Sequence, residues 1–196
     1  MKKTRLCIKS FLFYDSGIKG KKMFVRRYED GDKERVEEIC EITDNAHLEK
    51  DLLLTLYCHY YITHEKENCF VAVVDGKVVG YIISAEDTKA WIDRFSSTLL
   101  SSSTPTIREK GIESTEGYLP FYPEYPAHLH IDIDPRYQRM GIGHALMNAL
   151  LSNYREKGVK GLMLGVDPNN TKGVSFYKKY GFTPLDTNGV WWGIKP

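Results

Sequence analysis

Two stretches of this 196-residue chain carry residue types at spacings that could do chemistry. The first is Gln138-Arg139-Met140-Gly141-Ile142-Gly143, set between an alternating apolar run that ends at Pro135 and an amphipathic run that begins at Ile142. A helix N-terminus leaves backbone N–H groups unpaired and carries partial positive charge. A pyrophosphate satisfies both. Gly141 and Gly143 would let phosphate oxygens approach closely and permit unusual dihedrals, and Arg139 could add a charge-assisted contact. The same pattern also describes a glycine-rich turn with no ligand. Its glycine spacing is not that of a dinucleotide fingerprint, and no Gly-Lys-Ser/Thr follows as in a P-loop.

The second stretch is His128 to Asp134. His128, His130, Asp132 and Asp134 alternate with Leu129, Ile131 and Ile133, which predicts a strand with one apolar and one polar face. The second face of a central strand in a helix-covered sheet is normally apolar, so four polar residues there point to a wet cleft. A side chain that takes a proton from a bound group could sit there. His130 or Asp132, directly or through a water, is the expected base. His128 and Glu124 are weaker candidates, and any of the four could instead be structural.

The elements that position these stretches are legible from their periods. A strand is expected over 24–28, then a helix with Val36, Ile39 and Cys40 on one face, and a second helix over about 49–63. Cys69–Val74 and Lys77–Ser84 flank Asp75-Gly76 as a hairpin. After the strand at 128–134 come a helix over about 142–157, a strand over 161–166, a helix from Asn169 or Asn170 to before Gly181, and a closing hairpin around Asn188-Gly189. The order β-β-(insertion)-β-α-β-α-β-β predicts an α/β (α+β) fold with a mixed sheet and helices packed on it. Residues 86–126 read as a long insertion loop with a short helix at 91–100. Its aromatics Tyr118, Phe121, Tyr122 and Tyr125 either line an acceptor pocket or merely anchor the loop.

The net charge of +1 gives no reason to expect nucleic acid. No run reaches membrane-span length, and residues 1–22 lack the features of a signal peptide, so they read as an N-terminal extension before a domain over 23–196. Cys7, Cys40, Cys58 and Cys69 have no C-x-x-C spacing; reduced thiols in a cytoplasmic protein are expected, with no metal.

A second block sharpens the reading. Asn170, Val174, Phe176-Tyr177 and Gly181-Phe182 follow the glycine turn in the order seen in the GNAT acyltransferases, and Ile133-Asp134-Pro135 followed by Gln138 to Gly143 resembles that family's Gln/Arg-x-x-Gly-x-Gly/Ala pattern. The resemblance runs from about residue 23 to the C-terminus and is strongest over 127–185. The run Tyr125 to Asp132 further resembles the acetyltransferase-like domain attached to O-GlcNAc hydrolases. The resemblance implies a single domain with a GNAT-like mixed central sheet, in which the insertion precedes the central cofactor-binding strand. It implies acetyl-CoA as cofactor, its pyrophosphate held by backbone amides of Gln138, Arg139, Met140, Gly141, Ile142, Gly143 and His144. The strand at Ile131 and Ile133 would pair with the pantetheine arm and offer one N–H to the developing oxyanion. Asn170 would contact the arm, and Tyr177 would protonate the departing thiolate. Asn170 can equally be a helix cap and Tyr177 core packing. The implied reaction is acetyl transfer to a primary amine, on a small molecule or a protein. The rival readings are a catalytically inactive module that binds CoA or a partner, and an interaction domain built around the aromatic insertion. The protein is expected to be a monomer or a homodimer, with Trp191 and Trp192 on an exposed terminal hairpin available to a dimer.

Overall fold

In the computed structural model of the chain, residues 12–13, 22–102 and 104–196 are described. Among these residues, eight strands form one sheet in the order β1-β2-β3-β4-β5-β6-β8-β7. β1 is Leu12–Phe13, β2 Met23–Arg27, β3 Phe70–Val74 and β4 Lys77–Ala85. β5 is Ala127–Ile133, β6 Leu162–Gly165, β7 Thr183–Pro184 and β8 Trp191–Ile194. All neighbours are antiparallel except β5 and β6, which are parallel. The mixed sheet matches the expected fold class. Most of the expected extension at 1–22 lies outside the described residues; within it Leu12 and Phe13 pair with Val25 and Phe24.

The β3–β4 hairpin forms at Asp75-Gly76, both in the left-handed region with φ of 49° and 82°, as a two-residue turn between twisted strands requires. β5 follows the alternation read from its sequence. Leu129, with Ile131 and Ile133 half-buried beside it, packs into the core under helix α6 (Ile142–Lys157). The even residues face the opposite core, built from α1 (Lys33–Thr43), α2 (Lys50–Leu54), α3 (Tyr60–His64) and α4 (Thr88–Ser102).

The insertion departs from its expected loop. Trp91, Phe95 and Leu99 recur every fourth residue and are buried, so α4 extends over Thr88–Ser102. Thr104 then accepts the Ile107 N–H at 3.4 Å and Pro105 opens α5 (Pro105–Glu116), a cap-and-proline start hidden within a serine-rich stretch. Tyr118 is buried against His128 and Trp191, with ring centroids 4.6 and 4.7 Å apart, and Phe121 leans on Trp191. These rings therefore anchor the insertion to the sheet. Trp191 and Trp192 are not exposed as expected: the first is half-buried in this cluster and the second is buried.

Two of the polar residues in the 128–134 alternation are structural, one on β5 and one just after it. His128 is fully buried, its ring boxed by Tyr61, Trp91 and Tyr118. Asp134 is also fully buried. Its carboxylate pairs with Arg35 of α1 and with Arg136, at 2.6 Å for the latter, and accepts the Arg136 backbone N–H at 3.0 Å. Arg136 and Arg35 hold this carboxyl well below the usual range. The alternation placed Asp134 beside the cleft residues; it instead ties α1 to the turn that leads into α6.

Two outcomes follow. Burial, reinforced by His130, lowers the His128 pKa well below its ordinary value. Between that depressed value and about 6.5, the unfolded chain binds a proton that the native chain refuses, so stability is present above pH 6.5 and declines as pH falls below it. Urea melts should show a His128 contribution of about 1.4 kcal/mol per pH unit in that window. His128→Gln should remove that component, and an unchanged slope would refute the assignment. Gly161 sits where β5 meets β6: a Cβ there would lie 2.4 Å from the Glu124 carbonyl oxygen and 3.0 Å from Tyr125 Cα, so backbone must move. Gly161→Ala should cost about 1–3 kcal/mol in the same melts, whereas an unaltered midpoint would show that the strands yield freely.

Candidate active site

The glycine turn forms a cradle of free donors. Arg139 (φ 62°) and Gly141 (φ 79°) are both left-handed, and Gly141 is the N-cap of α6. Left-handed residues alternating with right-handed ones turn successive N–H groups toward one concavity. No backbone N–H from Gln138 to His144 donates to another described residue; the first helical bond runs from Ala145 N–H to the Gly141 carbonyl at 3.1 Å. The two glycines have different jobs. A Cβ on Gly141 would meet nothing within 4 Å, so glycine is favoured there by its backbone conformation. A Cβ on Gly143 would lie 3.1 Å from Phe176 Cζ and 3.4 Å from Ile133 Cδ1. Gly143 therefore lets α6 pack closely on Phe176. Gln138, Arg139 and Met140 are exposed, Ile142 is buried in the core, and the His144 ring rests on Phe176 at 5.2 Å. The Gln138 side chain donates to the Ile133 carbonyl at 3.2 Å, joining the turn to β5.

β5 pairs with β4 along its length, from Ala85↔His128 to Gly80↔Ile133, but with β6 only at Ala127↔Leu162 and His128↔Met163. Asp134 N–H donates to the Val79 carbonyl at 2.9 Å. Bonded pairs alternate in an antiparallel ladder, so the backbone groups of Asp132 and His130 face β4 while those of Ile131 and Ile133 face away from it. Beyond the last β6 pair, that side of β5 presents unpaired ladder positions next to the cradle.

α7 (Thr171–Tyr180) borders the same region. Asn170 caps it, its side-chain oxygen accepting the Gly173 N–H at 3.0 Å, which leaves its amide nitrogen for another partner. Tyr177 is half-buried between Phe176 and Phe182, at 5.3 and 5.5 Å. Burial, with a smaller contribution from the Asp132 charge, raises its phenol pKa and keeps it protonated.

On the even face of β5, a cleft of about 330 Å³ opens beside His130 and Asp132. Its other walls come from the end of α1 and the following loop (Cys40, Thr43, Asp44, Leu48), from Leu53 and Tyr57, and from Asp167 after β6. Tyr81 donates to Asp132 at 2.6 Å, and burial raises the Asp132 pKa above the ordinary carboxylate value. Burial lowers His130 to about 4, so its ring is neutral. His130 Nε2 lies 3.1 Å from the Tyr61 hydroxyl, and Tyr57 meets the His130 ring edge-on at 5.3 Å. His128 is on the same side but sealed in its aromatic box. Glu124 is exposed and bridges to Lys195 at 3.1 Å, at the far end of the strand. The aromatic rings of the insertion do not line this cleft.

Sequence reasoning missed Tyr61 and Tyr81, which fix His130 and Asp132, and the acidic rim at Asp44 and Asp167. Tyr57 was read only as part of a helical stripe. Between α2 and α3 the chain forms a π-helix over Thr55–His59, a wider turn that tends to occur at functional sites. Nothing in Thr-Leu-Tyr-Cys-His announces the extra residue.

Residues 34–182 match the acetyltransferase (GNAT) family. A mycothiol acetyltransferase of Nocardia farcinica is 29% identical over 102 residues, covering 52% of this chain and 34% of that protein. The chain thus spans about a third of the length of that relative. The solved structure of SsHAT superposes with a TM-score of 0.75 at 28% identity, over 88% of this chain and 98% of that one. The structure of yncA from Salmonella typhimurium, a putative acetyltransferase with its cofactor acetyl-CoA, shares the fold at a TM-score of 0.55 and 15% identity, over 88% and 93% of the two chains. With more than half its length matched to the family and the fold shared with these structures, the chain belongs to the GNAT acetyltransferases.

Proposed function

We propose that the protein transfers the acetyl group of acetyl-CoA to a primary amine held in the cleft beside His130 and Asp132. One observation carries the proposal. A run of backbone N–H groups from Gln138 to His144 lacks partners among the described residues, curls around two left-handed residues at the start of a 16-residue helix, and lies beside the free edge of β5. That donor set suits the pyrophosphate of a CoA thioester. Asn170 would hold the arm through its free amide nitrogen. Bound acetyl-CoA supplies the activated acetyl group.

The chain's own residues account for the rest. An outward N–H of Ile131 or Ile133 is a fixed donor for the thioester oxygen as negative charge develops there. Asp132, with Tyr81 on one oxygen, attracts the ammonium form of the acceptor and receives the proton that the amine must lose, with His130 beside it in the cleft. Tyr177, held as a neutral phenol, hands its proton to the departing sulfur. The acceptor is a small molecule or a protein amine. The aspartates lining the cleft favour a cation, and Tyr57, Leu48 and Leu53 give it apolar walls.

In this reading, residues 23–196 form the acetyltransferase domain, with 86–126 added to it. The likeness of Tyr125–Asp132 to the acetyltransferase-like domain of O-GlcNAc hydrolases is retained, and much of it lies in residues that build the fold, such as boxed His128. A cytoplasmic location fits Cys40, Cys58 and Cys69, which are free and buried, and no helix of the described residues is long and apolar enough to cross a membrane.

Titration calorimetry with acetyl-CoA tests the cradle. The wild type should bind, and Gly141→Val, which forces a β-branched residue into the left-handed region, should weaken binding by about tenfold or more. Equal affinity in the variant would overturn the cradle. Tyr177→Phe should lower kcat by about 10²-fold or more while leaving acetyl-CoA affinity intact. A parallel loss of binding would assign Tyr177 to cofactor packing.

A further inference from the structure

We propose that a buried hydrogen-bond wire, Thr88–His128–Tyr61–His130, fixes His130 in the tautomer protonated on Nδ1, so that His130 is a donor to the cleft and Asp132 alone is the base. The wire's geometry stands by itself; the role of Asp132 rests on the acetyl-transfer reading above.

Three contacts make the wire. Thr88 Oγ1 lies 2.8 Å from His128 Nδ1, His128 Nε2 lies 2.8 Å from the Tyr61 hydroxyl, and that hydroxyl lies 3.1 Å from His130 Nε2. Thr88, Tyr61 and His128 are completely buried. Burial keeps both histidines neutral at physiological pH, so each ring has one N–H and one lone pair. Three arrangements are then open. One, in which both histidines donate from Nε2 to Tyr61, leaves the proton of the fully buried Tyr61 hydroxyl unused and is disfavoured by that unmade bond; the other two run in opposite directions.

In one, His130 donates from Nε2 to Tyr61, Tyr61 to His128 Nε2, and His128 from Nδ1 to Thr88. The proton on the Thr88 hydroxyl is then left over, and Thr88 Oγ1 has no other partner among the described residues. In the other, Thr88 donates to His128 Nδ1, His128 from Nε2 to Tyr61, and Tyr61 to His130 Nε2. Every buried proton is now used, and the leftover donor is His130 Nδ1–H. That nitrogen makes no bond to a described residue, is not among the sealed unpaired atoms, and belongs to a residue lining the cleft. There an oxygen of solvent or acceptor can take it. An unmade bond on a buried hydroxyl disfavours the first direction by a factor on the order of ten to a hundred.

The surroundings agree. His130 is faced by Tyr57 from the π-turn, Tyr61 from α3, and His128 and Asp132 from its own strand, with Asp44 and Asp167 also lining the cleft. No cation is among these groups. Tyr81 donates to one Asp132 oxygen and the Thr43 side chain also acts on the carboxylate, whose remaining lone pairs can take a proton. Thr88, His128 and Tyr61 are thus positioning residues that act through His130.

Two-bond proton–nitrogen correlation spectra of the 15N-labelled protein at neutral pH, without acetyl-CoA, read each tautomer directly. The expected result is His130 protonated on Nδ1 and His128 protonated on Nε2. His130 protonated on Nε2 would overturn the proposal. Thr88→Val removes the donor that sets the direction and should give mixed tautomers at both rings, while Thr88→Ser should restore the wild-type pattern; an unchanged spectrum in Thr88→Val would also overturn it. In turnover assays, His130→Asn keeps an N–H donor and should retain the acid limb of the pH profile, while Asp132→Asn should abolish that limb. The reverse result would make His130 the base. If acetyl-CoA failed to bind while the tautomers were as stated, only the acetyl-transfer reading would fall.

Discussion

The structure depends on one strand keeping two different kinds of neighbour. β5 is bonded to β4 throughout but loses β6 after two residue pairs. The backbone pairing that continues fixes which residues face which core. The pairing that stops leaves an edge in the middle of a sheet, where exposed donors and acceptors would ordinarily invite another chain. Here α6, α7 and the glycine turn surround that edge, so what reaches it must be narrow, extended and able to hydrogen-bond. The constraint explains why both proposed substrates meet at residues 130–133 and nowhere else on the sheet.

The same strand separates its two tasks by side-chain parity. The odd residues join the core under α6, on the side of the glycine turn; the even residues lie beneath α1 to α4. Along the even side, polarity is graded by burial. His128 is sealed by aromatic rings, His130 and Asp132 border the cleft, and Asp134 is locked into an ion pair with Arg35 and Arg136. Four polar residues at equal spacing thus have three different fates. What decides between them is which helices lie over each position.

That is also why sequence carried the reading as far as it did. The period of β5, the bounds of α6 and the cap at Asn170 are local properties, set by neighbours within a few residues, and they were readable. The glycine turn was readable as a motif, although Gly143 proved to serve helix packing. The fates of His128, Glu124 and Asp134 were not, because each depends on a partner far away in sequence. Nor were α5, masked by a serine-rich stretch around its cap, or Tyr61, whose facing depends on the π-turn. Trp191 looked available for a partner because its own hairpin does not cover it. The insertion does, across some seventy residues of chain.

The π-turn over Thr55–His59 has one more consequence. Each residue of an α-helix advances the chain by about 100°. The wider turn therefore acts as a phase shifter between Leu52–Leu54, which hold the helix to the core, and Tyr61, which reaches the histidines. An ordinary helix through this segment could keep one of those faces in register with the sheet, but not both. The chemistry of the cleft is in this sense tuned by chain length rather than by side-chain identity, and a relative that kept every cleft residue but lacked one position here would present a differently aimed ring.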